Sequence, residues 1–480
     1  MCNFAYAKKR AHHYDMRYAI IAAGEGSRLR EEGITVPKPL IKINGETLLG
    51  RLVRIFMDNE AEDIVVITND LYPEVGKLLE EMEHNGLPLR HVRKTTSSSM
   101  HSLYEIAPLL EGDRWIITTV DTIFDERKFG EYVKALSHTT ADGIMAVTDY
   151  CDDEKPLYVM TDRHDGEAMA RITAFQDDCD DTEAYISAGI YGLTSRTLST
   201  LRRCVESGMS RMRNYQRELI ADGHTLLAYP LGKVMDIDHK SDIDKAEEWL
   251  RQRHIVGIYR AKRYSPGSVE KDKAILDATL QQLKDRGYDV DVMTEEKLLE
   301  GGIAKEAGRY LSMARSEEAL DILQDKTCIN TSDAIRYCNH RRYITSDDNS
   351  PPLWVKRTDQ CSEGEGDVTY CATEEEVRET IAMLHKRGID SYVMQKHYEG
   401  EHVKFYGVRG TTFFSPSGYD TLRGMAQDMA REAGITVYGG DAIIGADGEI
   451  HIIDLNDWPS FASCRKEAAE AIAEMVQTLR

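Results

Sequence analysis

The 480-residue sequence has no apolar run that approaches the ~18 residues a membrane-spanning helix needs, which excludes a membrane-spanning protein. Positive charge is also in deficit: 60 Lys and Arg against 82 Asp and Glu give a formal net charge of −22. This balance disfavours broad binding to nucleic acid or to anionic membranes, so any phosphate binding has to be local. With 41% hydrophobic and 30% charged residues, the chain is expected to form two or three globular domains rather than to be disordered.

Cysteine is scarce and shows no pairing pattern. The nine cysteines are odd in number, and none forms a Cys-x-x-Cys pair. We therefore expect reduced thiols in a cytoplasmic protein, with neither a zinc site nor a disulfide framework. The first fifteen residues lack the apolar stretch of a secretory signal, so we interpret residues 1–15 as an extension outside the fold.

Short β-like runs alternate with amphipathic helical stretches over the first half of the chain. Tyr18–Ala22 and Trp115–Thr119 are typical of these runs. The alternation predicts an α/β domain with a mainly parallel sheet over residues 16–253, closed by a charged helix at Lys240–Arg253. Another strand followed by a long helical pattern begins at His254, so a new domain is expected to start there.

A glycine-rich turn follows the first predicted strand. Gly24 and Gly26 come directly after an apolar run, at the position where ligands of open α/β sheets bind. Glycines let backbone N–H groups approach phosphate oxygens closely, although a Gly-x-Gly sequence is equally typical of a tight turn without a ligand. Arg28 and the proline-flanked Lys38 add two cations, and the combination indicates a phosphate site.

The motifs Ala22-Ala23-Gly24-x-Gly26-x-Arg28-Leu29 and Pro37-Lys38-Pro39-Leu40 together resemble the signature of the sugar-phosphate nucleotidyltransferase superfamily. The resemblance implies a Rossmann-like domain in which a substrate phosphate attacks the α-phosphate of an NTP and pyrophosphate is released. It assigns triphosphate binding to Ala23, Gly24 and Gly26, and catalysis to Arg28 and Lys38. Two anions meet in this chemistry, so Mg²⁺ and cationic side chains must stabilise the transition state. Glu31-Glu32-Gly33 departs from the family's usual Pro-Leu-Thr.

Two carboxylates match the family's metal ligands. Asp121 ends the apolar strand that begins at Trp115, and Asp238 lies in a segment that resembles the family's closing Ile-Asp motif. The resemblance therefore implies that Asp121 and Asp238 hold Mg²⁺. Asp236 stays an alternative to Asp238, because residues two apart in a strand point to the same face.

Two further segments match substrate-binding regions of the family. Residues 93–104 lie where relatives contact the nucleobase, which assigns Thr96 and Ser102 to nucleotide binding. The Ser-Leu-Tyr sequence at Ser102 is similar to small cytidylyltransferases and implies CTP, while a Ser/Thr-rich loop that caps a helix is the competing interpretation. Gly189 and Tyr191 belong to a segment that resembles the family's acceptor-side strand, which implies contact with the acceptor.

In the second half, two acids are expected to face each other. Asp447-Gly448 is a favoured type I′ hairpin dipeptide between two apolar β-runs, and a two-residue loop there places Asp441 opposite Asp454. Their Cβ atoms would then be about 5 Å apart. Like charges directly opposite each other are destabilising, so we expect a divalent cation between them, with Asn456 on the same face as a further oxygen ligand.

The order of features around these acids resembles the ATP-grasp superfamily. A strand lysine, Lys356, is followed by a glycine loop, a helix, a Gln-Lys pair and the acids of the hairpin. The resemblance implies an α+β ATP-grasp domain over residues 331–480 and a small α/β domain before it, over residues 254–330.

The resemblance also assigns ATP-binding roles. It implies that Lys356 contacts the ATP phosphates under a loop that contains Gly364 and Gly366, and that Gln395 and Lys396 lie on the adenine hinge. The ligands for one or two Mg²⁺ are the polar side chains of the hairpin: Asp441, Asp454 and Asn456.

Further cations are candidates for the acceptor side of this domain. Lys404 and Arg409 could steer an anionic acceptor or stabilise the transferred phosphate. Where the family often has an additional lysine, this sequence has Arg341-Arg342, and Arg341, Arg342 or neither could take its place.

Two activities on one chain indicate consecutive steps. Our leading hypothesis is a bifunctional Mg²⁺-dependent enzyme. Its second half uses ATP to phosphorylate a small sugar, polyol or amino alcohol, and its first half couples that phosphate to a nucleotide, CMP. Two alternatives stay open for the second half: an amide-forming carboxylate–amine ligase and a nucleotide-binding regulatory module. The expected partner is a small phosphorylated molecule and not nucleic acid.

Overall fold

The computed structural model describes residues 16–110, 112–151, 155–162, 169–179, 184–264, 269–303, 306–344, 348–359, 362 and 364–479. The chain divides into two compact units, one up to residue 250 and one from residue 251 onward. The extension expected at residues 1–15 lies outside the described residues, as do Cys2 and Cys361. Within the described part, no helix is both long and apolar enough to cross a membrane.

The first unit alternates strands and helices. Its strands are β1 (Met16–Ala22), β2 (Lys42–Ile43), β3 (Glu46–Thr47), β4 (Ala61–Thr68), β5 (Leu89–Arg93), β6 (Arg114–Thr119), β7 (Thr122–Ile123), β8 (Gly143–Thr148), β9 (Tyr158–Thr161), β10 (Ala170–Gln176), β11 (Tyr185–Thr194), β12 (Leu226–Pro230) and β13 (Met235–Asp236). Its helices are α1 (Ser27–Glu31), α2 (Leu48–Asp58), α3 (Pro73–His84), α4 (Ser99–Ile106), α5 (Glu126–His138), α6 (Leu198–Glu206), α7 (Met212–Ala221) and α8 (Lys240–Arg253).

The large sheet of this unit is mixed rather than mainly parallel as predicted. Its strand order is β5-β4-β1-β6-β11-β8-β12-β10-β9. Pairing is parallel from β5 to β6, whereas β11 runs antiparallel to both β6 and β8. The alternation of strands and helices predicts the parallel part correctly, but it does not reveal that β11 inserts in the opposite direction.

Both faces of this sheet are buried. Ile20 of β1 belongs to a hydrophobic cluster with Phe56 of α2, and the next residue, Ile21, belongs to the opposite cluster with Leu103 of α4. Helices therefore cover both faces, as is usual for parallel strands. The edge at the carboxyl ends of the strands is the place where such a sheet binds ligands.

The second unit has more antiparallel structure. Its strands are β14 (His254–Tyr259), β15 (Asp289–Thr294), β16 (Arg309–Ser312), β17 (Cys328–Ile329), β18 (Leu353–Arg357), β19 (Val368–Cys371), β20 (Tyr392–Lys396), β21 (Glu401–Val408), β22 (Phe414–Ser415), β23 (Val437–Ile444) and β24 (Ile450–Asp457). Its helices are α9 (Val269–Asp285), α10 (Glu295–Gly301), α11 (Glu317–Leu323), α12 (Ser332–Asn339), α13 (Glu374–Lys386), α14 (Asp420–Glu432) and α15 (Arg465–Thr478).

Three sheets organise the second unit. The strands that follow the unit boundary form a parallel sheet in the order β15-β14-β16-β17. An antiparallel sheet, β19-β18-β20, and a second one, β22-β21-β23-β24, follow along the chain. The parallel sheet occupies the residues predicted to form a small α/β domain, and the two antiparallel sheets occupy those predicted to be α+β.

A buried ion triad joins the parallel sheet to the end of β24. Asp457, which is 1% exposed, accepts hydrogen bonds from Arg260 at 3.3 Å and from Arg315 at 2.6 Å. Arg260 follows β14 and Arg315 lies just after β16. Next to the triad, the Trp458 indole donates to the carbonyl of Ile329 at 3.0 Å. The carboxyl edge of the parallel sheet therefore fixes the end of β24.

The hairpin between β23 and β24 differs from the prediction at its tip. The Gly445 N–H donates to the Glu449 carbonyl at 2.9 Å, and Gly448 has a φ of +84°. This is a three-residue loop with glycine in the left-handed region, not the predicted two-residue type I′ turn. A register shift beside Asp441 compensates for the extra loop residue, so Asp441 still lies opposite Asp454 as predicted.

Candidate active site

The glycine-rich turn connects β1 to α1. Gly26 precedes α1 with a φ of +62°, a left-handed conformation that favours glycine. Buried Asn69 donates to the carbonyls of Ala23 and Gly24 at 3.3 and 3.2 Å and thereby fixes the turn. A Cβ added to Gly24 would meet no atom within 4 Å, so the backbone is open on that side. The three residues predicted to bind the triphosphate therefore form one fixed turn with free space beside it.

Lys38 lies at the centre of the predicted catalytic residues. Its Nζ donates to Asp121 and, at 2.8 Å, to Asp238. Arg28 donates to the second oxygen of Asp238 at 2.9 Å. A Cβ on Gly26 would lie 3.6 Å from the Lys38 Cβ, so the lysine also borders the glycine turn. The structure brings together the four residues that the sequence assigns to catalysis and metal binding in this half.

Charge is retained on both sides of this ion pair. Burial opposes the ammonium charge, yet Asp121 and Asp238 raise the pKa of Lys38 above the ordinary lysine value. Burial likewise disfavours the carboxylate of Asp121, but the Lys38 ammonium lowers its pKa below the usual range. Lys38 and Asp121 are therefore both charged at neutral pH.

Asp236 lines the same cleft as Asp238. A cavity of about 80 Å³ is bounded by both carboxylates and by Tyr150 and Ser187. The Asp236 side chain is exposed to water on one side. Partial desolvation of its carboxylate in the cleft, together with repulsion by the carboxylates of Asp121 and Asp238, raises the pKa of Asp236 to about 8. Asp238 is the one that shares Lys38 with Asp121.

The carboxylates around Lys38 fit a magnesium ion whose remaining ligands come from substrate and water. Among the residues that the structure describes, no three His, Cys, Asp or Glu side chains lie close enough together to hold a metal by themselves. Asp121 and Asp238 share one ammonium, so their oxygens converge on one point. Mg²⁺ is usually bound by one or two carboxylates and completed by substrate phosphates and water. The pair therefore fits Mg²⁺ in the company of a nucleotide.

The departure from the family motif has a structural role that the sequence did not reveal. Glu32 pairs with the His239 ring and accepts from the Lys240 N–H, both at 2.6 Å. The Lys240 N–H and the His239 ring lower the pKa of Glu32. This tie holds the segment that follows Asp238 against the segment that follows the glycine turn.

The loop predicted to contact the nucleobase is a helix cap. Ser98 caps α4 by accepting the His101 N–H, as the capping interpretation predicts, while contact of this loop with a nucleobase stays a prediction. The buried Ser102 hydroxyl lies 2.6 Å from the Thr96 hydroxyl and donates to the Ser98 carbonyl. The Ser102 hydroxyl is thus used for bonds within the protein, and it holds Thr96 in place. Because Thr96 is only half-buried, it is more accessible to a nucleotide than Ser102.

Gly189 lies against the loop that carries Asp121. It has a φ of +71° within a register irregularity of β11, and an added Cβ would lie 3.3 Å from the Thr119 hydroxyl. Tyr191 is 8% exposed, and burial and nearby Asp236 raise its pKa. Ser187, four residues earlier in β11, lines the cleft and accepts a hydrogen bond from Gln216 at 3.0 Å. Of the two residues predicted to contact the acceptor, Gly189 lies next to the loop that carries Asp121 and Tyr191 is buried, and their contact with an acceptor stays a prediction.

In the second unit, a cavity of about 260 Å³ lies between the two antiparallel sheets. The three-stranded sheet contributes Lys356 and Gln395, and the four-stranded sheet contributes Asp441 and Asp454. Further residues that line it are Arg341, Trp354, Val368, Lys396, His397, Tyr398, His402, Ile443 and Ile453. Most of the ATP-binding residues predicted from sequence therefore surround one cavity.

Lys356 points from β18 into this cavity. Its Nζ donates to the Ile453 carbonyl at 3.0 Å, and its side chain is largely buried. Burial lowers the pKa of Lys356 to about 8, although Asp454 favours the charged form. In the part of the chain that the structure describes, the Lys356 ammonium bonds to a backbone carbonyl and to no carboxylate, so it is available to an anion.

Asp454 is held by two side chains from the segment after α12. The Tyr343 hydroxyl donates to it at 2.6 Å and Arg341 at 3.3 Å. Asn456 donates to its other oxygen at 2.7 Å. Burial opposes the charge of Asp454, but Arg341 and Lys356 lower its pKa. Of the two arginines left open by the sequence, Arg341 lines the cavity and Arg342 does not.

Asp441 contacts a lysine and a histidine of β21. Lys404 donates to it at 2.8 Å, and the His402 ring lies 2.9 Å from it. Lys404 pairs with Asp441 and Arg341 pairs with Asp454, so the facing positions of the two carboxylates do not by themselves require a divalent cation. A metal ion at this position stays a prediction. His402 and Tyr343 had no recognisable signal in the sequence, since both are brought to the site by tertiary packing.

The glycine loop and the hinge residues have separate anchors. Gly366 has a φ of +83°, and the Gly364 N–H donates to fully buried Asp367 at 3.2 Å. Gln395 is buried at the cavity, whereas Lys396 pairs with Asp348 at 2.7 Å. The loop is thus fixed at its carboxyl end, next to β19.

Arg409 does not belong to this cavity. It follows β21 at the end opposite to His402, and its guanidinium donates to the Thr436 hydroxyl at 3.3 Å. Strand residues rise by about 3.3 Å each, which separates it from Lys404 by well over 10 Å. Arg409 and Lys404 are therefore far apart along the strand, and a role of either in steering an anionic acceptor stays a prediction.

Residues 18–189 match the family of MobA-like NTP transferase domains. The first unit therefore contains a nucleotidyltransferase-type domain, which confirms that part of the sequence prediction. The match includes the glycine turn, Lys38 and Asp121, and it ends before Asp238. Because the match does not reach the second unit, the ATP-grasp prediction stays a prediction.

Curated relatives share this first half. The bifunctional IPC transferase and DIPP synthase of Rubrobacter xylanophilus is 28% identical over 246 residues, which are 48% of this chain and 51% of the relative. The UTP–glucose-1-phosphate uridylyltransferase AglF of Haloferax volcanii is 22% identical over 244 residues, which are 49% of this chain and 97% of the relative. The chain thus spans about half the length of the first relative.

Solved structures align over a similar share. The inositol-1-phosphate CTP transferase from T. maritima is 18% identical and aligns with a TM-score of 0.42 over 49% of this chain and 98% of its own. A UDP-glucose pyrophosphorylase complexed with UDP-glucose is 14% identical and aligns with a TM-score of 0.43 over 49% of this chain and 98% of its own.

Proposed function

We propose that the first unit transfers a nucleotidyl group, CMP, from CTP to a small phosphorylated sugar, polyol or amino alcohol. An oxygen of the acceptor phosphate bonds to the α-phosphorus, the bond from that phosphorus to the bridging oxygen of the β-phosphate breaks, and pyrophosphate leaves. The observation that carries this proposal is the junction of Lys38 and Arg28 with Asp121 and Asp238 beside the glycine turn.

Each group in the cleft has a place in this reaction. The backbone of the glycine turn is positioned to bind the triphosphate, and Lys38 and Arg28 neutralise charge that builds up on the phosphates. Asp121 and Asp238 would hold Mg²⁺, which when bound neutralises phosphate charge. The acceptor would enter through the cavity beside Asp236, where Tyr150 and Ser187 can orient it.

The base preference rests on a weaker signal. The Ser-Leu-Tyr segment at Ser102 supports CTP through its similarity to small cytidylyltransferases. The relative AglF is named for its use of UTP, so UTP is the principal competitor.

For the second unit, we propose an ATP-grasp site that phosphorylates the acceptor. A hydroxyl of the acceptor would bond to the γ-phosphorus of ATP, and ADP would leave. Lys356 and Arg341 line a cavity between two antiparallel sheets together with Asp441 and Asp454, and this supports a triphosphate with Mg²⁺ at that position. Asp441 and Asp454, with Asn456 beside them, are the oxygen donors available to such a metal ion. The order of the two steps follows from chemistry, since the second unit would supply the phosphate that the first unit uses.

One screen tests both parts. Purified full-length protein with Mg²⁺ and each of the four NTPs would be offered a panel of sugar, polyol and amino-alcohol phosphates, and pyrophosphate release would be measured. The unphosphorylated parent compounds would be run beside them with and without ATP. We expect one phosphate to react with CTP alone, and its parent to react only when ATP is added. Release of ADP that requires an amine and a carboxylate would instead assign the second unit to ligation.

A further inference from the structure

The Lys38 ammonium occupies the point on which two carboxylates converge. It bonds to Asp121 and to Asp238 at once, and its side chain is only 11% exposed. We propose that Lys38 excludes a divalent cation from this carboxylate pair until a nucleoside triphosphate draws the ammonium away. The inference rests on the proposed nucleotidyl transfer for the identity of that ligand, while the exclusion itself concerns the free protein.

The backbone around Lys38 is fixed, so only its side chain can change partners. Pro37 and Pro39 flank it, and the turn is closed by hydrogen bonds from the Leu40 N–H to the Pro37 carbonyl at 2.8 Å and from the Ile41 N–H to the Lys38 carbonyl at 3.1 Å. Proline restricts φ and removes an N–H donor, which stiffens such a segment. The four-carbon lysine stem is the flexible element.

The glycine turn supplies the second position for the ammonium. The Lys38 Cβ lies beside Gly26, where any added Cβ would be 3.6 Å away. A triphosphate bound by the turn would therefore bring its oxygens within reach of the same lysine stem. Rotation of the side chain is enough to exchange the carboxylates for phosphate, without movement of the strands.

Charge decides which arrangement is stable. In the free protein, Lys38 and Arg28 together place two positive charges on Asp121 and Asp238. A divalent cation added to that set would meet a buried ammonium within a few ångströms, at a distance where like charges repel strongly in a protein environment. A triphosphate adds several negative charges, which attract the ammonium and leave both carboxylates to the metal.

Metal and nucleotide should therefore bind cooperatively. If the nucleotide raises the affinity for the metal, the metal must raise the affinity for the nucleotide by the same factor. The free protein is expected to take up metal only weakly at this site, and the metal–nucleotide complex is the form that binds.

The test is a titration of the full-length protein with Mn²⁺ alone, followed by electron paramagnetic resonance of the free ion. Lys38→Met is expected to bind Mn²⁺ at least about tenfold more tightly than the wild type, since a competing buried charge is removed. Lys38→Arg, which keeps the charge, should remain close to the wild type. Lys42→Met is the matched control, because Lys42 is an exposed lysine in the same segment.

A double variant assigns the gained binding to this site. Lys38→Met combined with Asp238→Asn should lose the gain, which separates it from any metal bound in the second unit. Equal or weaker Mn²⁺ binding by Lys38→Met, or an equal gain in Lys38→Arg, would overturn the proposal.

A measurement on the wild type keeps the proposal testable if Lys38→Met does not fold. The α,β-methylene analogue of CTP should increase protein-bound Mn²⁺ at the Asp238-dependent site by at least about tenfold, and Mn²⁺ should tighten binding of the analogue equally. Tight, Asp238-dependent Mn²⁺ binding that the analogue does not change would contradict the exclusion by Lys38. If no nucleotide binds at all, the proposed function fails. The exclusion by Lys38 is then tested with Mn²⁺ alone: Lys38→Gln, which removes the charge, should bind Mn²⁺ more tightly than the wild type and Lys38→Arg.

Discussion

The Lys38 ammonium donates to the carboxylate of Asp238 at 2.8 Å, although the two residues are 200 positions apart in the chain. The contact joins the segment after the glycine turn to the segment just before α8. A second contact links the same two regions of the chain, from the Lys240 N–H to the Glu32 carboxylate at 2.6 Å. The candidate site therefore combines Arg28 and Lys38 from the start of the first unit, Asp121 from its middle and Asp238 from its end. The ion pairs between them hold these charged groups in position.

Lys38→Met should abolish most of the nucleotidyl transfer. The substitution removes a buried cation next to the position of the phosphates, and loss of one such preorganised group costs about 10²–10³-fold in rate. Pyrophosphate release with CTP and the acceptor phosphate measures kcat/KM directly.

Lys42→Met serves as the control in the same assay and should leave kcat/KM within about twofold of the wild type, as expected for an exposed position away from special contacts. A Lys38→Met protein that is folded and retains more than a tenth of the activity would count against a catalytic role for Lys38.

Asp238→Asn and Asp236→Asn should separate the two candidate metal ligands. Asp238 shares Lys38 with Asp121, so its loss is expected to raise the Mg²⁺ concentration needed for half-maximal activity by about 10–100-fold, as for other groups around a metal. Asp236 has a pKa raised to about 8 and lines the acceptor cavity, so its loss should change the KM for the acceptor and not the Mg²⁺ requirement. The opposite result would make Asp236 the ligand.

Lys356→Met should eliminate the ATP-dependent step and preserve the transfer from CTP to an acceptor that is already phosphorylated. Lys356 is buried at the cavity of the second unit, where the described residues offer its ammonium a backbone carbonyl but no bonded carboxylate. The measurement compares the phosphorylated acceptor with its parent plus ATP, using one protein preparation. Lys386→Met, an exposed lysine at the end of α13, is the control and should support both reactions. Unchanged ATP-dependent activity in Lys356→Met would remove the main support for this ATP site.

The sequence was most informative where chemistry depends on strand ends. Asp121 could be placed at the edge of the sheet because an apolar run ends there, and the glycine turn could be placed beside it for the same reason. Both features are local patterns, and in the structure Asp121 and the glycine turn lie just after the ends of β6 and β1. The direction of β11 could not be obtained in this way, because an antiparallel insertion has the same alternation of polar and apolar residues as a parallel one.

Tertiary contacts account for what the sequence left out in the second unit. Asp441 and Asp454 were placed opposite each other on the assumption of a two-residue turn, and they are opposite because a register shift offsets a longer loop. Their charges were expected to need a metal ion, but Arg341 and Lys404 supply positive partners from other parts of the chain. No spacing rule connects these residues, so only the fold reveals them.

Asp457→Ala should destabilise the second unit by about 3–5 kcal/mol, because it removes the buried carboxylate that pairs with Arg315 and that shares Arg260 with Asp272. Both arginines lie at the carboxyl edge of the parallel sheet, and Asp457 ends the strand that contains Asp454. Hydrogen exchange of peptides from β14, β16 and β24 along a urea gradient would measure the loss where it occurs.

Asp428→Ala is the matched control, since Asp428 pairs with Arg431 at 2.7 Å but both side chains are about 70% exposed, and surface pairs of this kind contribute little.

If the triad only neutralises charge, Asp457→Asn should reduce the free energy of unfolding nearly as much as Asp457→Ala. If its hydrogen bonds also position β24, Asp457→Asn should recover part of the stability and Asp457→Ala should weaken ATP binding, because Asp454 lies only three residues away. Equal stability of Asp457→Ala and Asp428→Ala would show that the triad does not anchor β24.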